Sequence, residues 1–114
     1  METILEYRKG ILFIRIIGNL TKENLKELEG KINKIIKEEK IKNVVLNMHY
    51  ISEIDNKGIN ILFYIYELVN KYNGFVFITN LENKNIREKL KKMKIFKYID
   101  EINNELDAFN LIKV

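Results

Sequence analysis

Eight consecutive residues hold most of the groups in this chain that could do chemistry: Ile51-Ser52-Glu53-Ile54-Asp55-Asn56-Lys57-Gly58. They lie between two apolar runs, Val44-Val45-Leu46 and Ile59 to Val69. The segment therefore joins the end of a predicted buried strand to the start of a predicted helix, the junction where α/β proteins usually place functional groups. Asp55 reads as the helix N-cap, because a carboxylate there accepts orphan backbone N–H groups and suits the positive helix end. Gly58, in the first turn, permits close backbone approach. Lys57 has no such account. A cation beside a helix N-terminus is mildly unfavourable, and a residue that breaks a local rule is a candidate for function.

Other candidates carry less. His49 is the only histidine and the chain has no cysteine, so a His- or Cys-ligated metal centre, a disulfide and thiol catalysis are excluded. Ser52 is the only serine and lacks the G-x-S-x-G elbow of a nucleophile. Neither G-x-G-x-x-G nor G-x-x-x-x-G-K-[ST] occurs, which removes the ordinary phosphate cradles. A phospho-receiver would need clustered strand-end carboxylates for magnesium. Asn47 and Thr79-Asn80 stand there instead. The expectation is no catalytic residue, no metal and no cofactor.

These groups must be positioned by one domain over 1–114, a length that suits a single core. No apolar run approaches the ~18 residues of a membrane span. Met1 to Tyr7 lacks the pattern of a signal peptide, so a cytoplasmic protein is expected. Net charge is +4. The densest basic stretch, Lys84 to Lys97, is interrupted by Glu88 and reads as a solvated helix face, so no nucleic-acid partner is expected.

Strands are predicted over Thr3 to Tyr7 and Gly10 to Ile17, joined by an Arg8-Lys9-Gly10 turn. Thr21 reads as an N-cap, followed by an apolar stripe of Leu25, Leu28, Ile32, Ile35 and Ile36 at helical spacing. Ile41 to Met48 is a buried strand, Ile59 to Tyr72 a helix, and Phe75 to Thr79 a strand. Asn83 caps a helix running to about Met93. Tyr98 to Ile102 is a short edge strand. Asn104 to Ile112 closes the chain as a helix with Leu106, Phe109 and Ile112 inward. The order ββαβαβαβα is an α/β fold with a mixed, mostly parallel sheet. In the helix after Gly58 the apolar arc is about twice the ~100° that a core-facing stripe requires. It is either wedged between neighbours or shows apolar surface to a partner.

Gly18-Asn19-Leu20-Thr21, Val44-Val45-Leu46-Asn47, the segment Ile51 to Gly58, and Asp100 to Ile112 together resemble the STAS family, the anti-sigma-factor antagonist fold. The resemblance covers nearly the whole chain. It implies a non-enzymatic protein-binding module of partner-switching transcription regulation in bacteria. Such modules dock onto an anti-sigma factor or a related switch kinase through the 51–58 segment and the following helix. Carried onto this sequence, the implied contacts are Asp55, Asn56, Lys57, Gly58, Asn60, Ile61 and Tyr64. In many members the second serine of Asp-Ser-Ser-Gly is phosphorylated by that kinase. Here Asn56 and Lys57 replace the two serines, so a fixed positive charge stands at the phosphoacceptor position and no phosphorylation is expected there. Ser52 remains a remote candidate. Asn47 and Tyr64 also depart from the family's usual Asp and small residue. Two other expectations stay open: a structural STAS subunit of a lipid-transport or stress-signalling assembly, and a small-molecule or nucleotide binder.

Overall fold

The β-branched stretch after the Lys9-Gly10 turn is too apolar to face water on either side, and it forms an interior strand, second in the sheet. A computed structural model of the chain describes residues 1–112. In it β1 (Glu2–Arg8) and β2 (Ile11–Leu20) pair antiparallel as a hairpin. Leu12, Ile14 and Ile16 of β2 are buried on one face, and Ile11 and Phe13 on the other. That two-sided burial is what a near-continuous apolar strand predicts.

A 3-10 turn at Lys22–Asn24 leads into α1 (Leu25–Glu38), and β3 (Asn43–Asn47) follows, parallel to β2. The chain then makes β4 (Ile51–Ile54) before α2 (Asn56–Lys71), β5 (Val76–Thr79), α3 (Lys84–Lys92), β6 (Asp100–Ile102) and α4 (Asp107–Leu111). The sheet order is β1-β2-β3-β5-β6, with β4 paired to the far end of β2. All pairings except β1 with β2 are parallel. The α/β, mostly parallel architecture thus stands, with one strand more than the alternating order predicts.

The large core lies between one face of the sheet and α1, α2 and α3, where Leu28, Ile32 and Ile36 of α1 meet Leu62 and Ile65 of α2. Among the described residues the opposite face is covered by α4 and the residue after it, through Ala108 and Ile112 against Phe13, Val45 and Phe77. Two expectations fail at the helix ends. Leu106 is 68% exposed rather than inward. It precedes a helix of only five residues, and the inward places are taken by Ala108 within it and Ile112 just past its end. Thr21 makes no side-chain capping bond. The Asn24 N–H, three residues on, goes instead to the Thr21 backbone carbonyl oxygen at 2.9 Å, and the Lys22 N–H is taken by a carboxylate from elsewhere in the chain.

Candidate functional site at the start of helix α2

β4 fixes the site. Gly18 adopts φ +101° where the β2–β4 register shifts between Gly18 and Asn19, a conformation that favours glycine. Beyond that bulge Leu20 lies opposite Ile54, and the next residue, Asp55, is delivered between two helix starts. One carboxylate oxygen, Oδ1, accepts from the Gly58 N–H at 2.8 Å, which caps α2. The other, Oδ2, accepts from the Lys22 N–H at 2.9 Å, at the start of the turn that leads into α1. A single side chain thus satisfies orphan donors of two elements 33 residues apart. Burial pushes the Asp55 carboxyl up, but hydrogen bonds from the backbone N–H groups of Lys22, Gly58, Asp55 and Lys57 outweigh it and hold the group below its ordinary value.

Gly58 has its own geometric requirement. A Cβ there would sit 2.1 Å from the Leu20 carbonyl oxygen. The first turn of α2 can approach β2 only without a side chain, as the close-approach reading expects.

Asn56, Lys57 and Asn60 are exposed around this junction. Two further cations, which the sequence reading did not single out, join them. Lys22, Asp55, Asn56, Lys57 and Lys89 line one open hollow of ≈ 420 Å³. Lys89 reaches it from α3, its Nζ donating to the Ile54 carbonyl oxygen at 3.0 Å. Lys22 carries in the sequence the same signal as Lys57, a cation at the start of a helical segment. Lys89 carries none, because only the docking of α3 beside β4 brings it here.

The remaining expected contacts divide. Ile61 is 7% exposed, within the large core, so it offers no free surface. Leu68, at the same margin of α2, is 8% exposed. The wide apolar arc is therefore largely occupied by neighbouring elements. Tyr64 is half-buried, and its hydroxyl donates to Asn33 Oδ1 on α1. Phe63 and Tyr66 are half-buried with their rings 5.8 and 5.7 Å from that of Tyr98. Ser52 is exposed on β4, two residues before the point where the chain turns into the hollow.

Asn47, at the end of β3, is not among the residues that line this hollow and belongs to a separate network. Its Nδ2 donates to Glu105 Oε2 at 2.9 Å, and its Oδ1 accepts from the His49 N–H at 3.0 Å. Glu105 is held in a two-pronged pair by Arg15, at 2.8 and 2.7 Å, and Arg15 also donates to Glu6 at 2.9 Å. This network ties the segment before α4 to the sheet. Among the described residues no group of three or more His, Cys, Asp or Glu side chains could hold a metal ion, and no helix is long and apolar enough to cross a membrane.

With this geometry in hand, comparison with known proteins gives consistent matches. A family model described as the STAS domain matches residues 2–109. An anti-sigma factor antagonist from Mycobacterium paratuberculosis superposes with a TM-score of 0.85 at 17% identity, covering 97% of this chain and 92% of that one. The anti-sigma factor antagonist SpoIIAA in its unphosphorylated form gives 0.76 at 17% identity, with 96% of each chain covered. The Bacillus cell fate determinant SpoIIAA in its phosphorylated form gives 0.76 at 16% identity, covering 98% of this chain and all of that one. At these identities the likeness to solved structures is one of fold.

Proposed function

The chain belongs to the STAS domain family, and from that premise we propose that it is a non-enzymatic interaction module. It binds a protein partner of the anti-sigma-factor or switch-kinase type through the start of α2, without a serine switch at that position. The observation that carries the reading is the hollow at the α2 start. Asn56 and Lys57 line it and Asn60 is exposed just beyond, on a backbone that the Asp55 carboxylate caps through Gly58 and ties to Lys22. Rigid placement of a few exposed side chains reduces the ordering cost of association. Structural relatives are named as anti-sigma factor antagonists, which supports a protein partner of that class.

The docking face is smaller than the sequence suggests. Ile61 belongs to the core and Tyr64 is tied to α1, so Asn56, Lys57 and Asn60 form its exposed part, with Asp55 and Gly58 as its frame. Lys57 stands where the family's phosphoacceptor serine is expected. An ammonium cannot take phosphate from a serine kinase, and its charge has the opposite sign to a phosphoserine. Binding is then constitutive with respect to that modification.

The test has two arms. Affinity capture with the intact domain is expected to retain a partner that Lys57→Glu and Asn60→Arg each lose while remaining folded by circular dichroism. Retention of the same partner by both variants would move the interface elsewhere. Incubation with the captured kinase and ATP, followed by mass spectrometry, is expected to leave the 51–58 segment unmodified. A regulatory phosphate on Ser52 would overturn the loss of serine switching.

A further inference from the structure

Three lysines from three separate elements converge on the hollow at the α2 start: Lys22 after β2, Lys57 in α2 and Lys89 in α3. All three are exposed. Among the described residues none of them forms an ion pair, a state they share with other surface lysines such as Lys26 and Lys84; what sets them apart is that three elements bring them around one hollow. Glu23 and Glu53 lie close to the hollow in sequence, yet neither pairs with these lysines. The one acidic group in the hollow, Asp55, is engaged by the backbone N–H groups of Lys22 and Gly58. Those bonds leave the carboxylate charged, so the hollow holds three ammonium groups against one carboxylate; the excess like charges repel one another, and two of them, Lys22 and Lys57, also oppose a helix-start dipole. The fold tolerates this arrangement although the chain contains enough glutamate to neutralise it.

We infer that the hollow receives an acidic segment of a protein partner, whose Asp and Glu side chains pair with Lys22, Lys57 and Lys89. This rests on the reading of the α2 start as a docking face. A small free anion fits less well. The backbone donors that would cradle it at the helix start are already filled by the Asp55 carboxylate. What is left is a spread of ammonium groups, each with N–H donors to meet a separate carboxylate on a protein surface; Lys89 keeps two beyond the one it gives to the Ile54 carbonyl oxygen. Complementarity of this kind sets encounter rate and partner choice and weakens with salt.

The test uses the full chain, isotope-labelled, titrated by NMR with a short Glu-Ala repeat peptide, its Gln-Ala counterpart and inorganic phosphate. The Glu peptide is expected to shift the amides of Lys22, Asn56, Lys57 and Lys89 saturably, and the Gln peptide to leave them unmoved. A Lys22→Gln, Lys57→Gln, Lys89→Gln variant is expected to bind about tenfold or more weakly. The inference is overturned if the Glu peptide binds instead along Lys91 to Lys97, if the triple variant binds unchanged, or if phosphate alone saturates the same amides as tightly. Partner capture separates the two levels. A partner retained equally by wild type and the triple variant sinks the acidic-segment inference and leaves the docking face standing. No partner retained by either sinks the docking face itself.

Discussion

Lys57 and Asp55 sit two residues apart and answer to opposite demands. Asp55 is a structural group with two acceptor oxygens in use, so removing it frees the N–H groups of Gly58 and Lys22 together. Asp55→Ala is expected to cost about 1–2 kcal/mol, the upper part of the range for a lost cap, read as a fall in the urea midpoint with the slope unchanged. A change below a few tenths of a kcal/mol would show that the two bonds contribute little. Lys57 carries the opposite expectation, because its charge opposes the helix dipole and pairs with nothing among the described residues. Lys57→Ala is expected to raise stability by about 0.3–1 kcal/mol while weakening partner binding. Stability gained as binding is lost is the signature of a residue kept for function. If stability and binding fall together, Lys57 is part of the scaffold.

At the scale of elements, β4 and α4 decide how the site and the far face of the sheet are held. The sequence states β4 poorly. Ile51–Ile54 is four residues with polar Ser52 and Glu53 between two buried isoleucines, so neither an alternating pattern nor a continuous apolar run announces it. Its partner is the end of β2 beyond a register shift, a long-range pairing with no local signal. Asp55 as a cap and Gly58 as a close-approach residue were legible because their reasons lie within a few residues of sequence. Lys89 and the second bond of Asp55 to Lys22 were not, because only tertiary docking creates them. α4 shows the same limit. Its helical spacing was readable, but the bonds that Arg15 and Asn47 make from β2 and β3 to Glu105, just before it, were not. Asn47 donates to that carboxylate, so an aspartate in its place would set two like charges at hydrogen-bond distance. Asn47→Asp is expected to destabilise by about 1–3 kcal/mol at neutral pH, the loss of a hydrogen bond to a charged group. The deficit is expected to shrink as pH falls and one carboxyl of the new pair takes up a proton. Chemical denaturation at neutral and acid pH checks it, and a deficit that does not vary with pH would rule out the charge clash.

Over the whole molecule, ion pairs hold the last strand and last helix to the rest of the fold, which ties stability to pH. Three carboxyls are held below their ordinary values. For Glu105 the hydrogen bond from Arg15 is the largest cause, opposed by burial and helped by Asn47. For Glu101 it is the hydrogen bond from Arg87, again opposed by burial. For Asp55, burial acts upward and the backbone bonds overcome it. A carboxyl whose folded pKa lies below its unfolded one stabilises fully above the unfolded value, 4.5 for the two glutamates and 3.8 for the aspartate. That contribution is lost as pH falls through the folded values. Arg15 and Arg87 are shifted upward by their glutamate partners, so their share is fully present throughout the range below the ordinary guanidinium pKa and gives no loss near neutrality. The melting temperature is therefore expected to be level with respect to these groups from neutral pH down to about 5, then to drop steeply toward pH 2. Glu105→Gln keeps a polar side chain but cannot ionise, so it should lower the plateau and flatten the drop. Calorimetry of both proteins across that range decides it: parallel curves would mean that the Arg15–Glu105 pair does not govern the acid limb, and that α4 is held to the sheet by Ala108 and Ile112 without it.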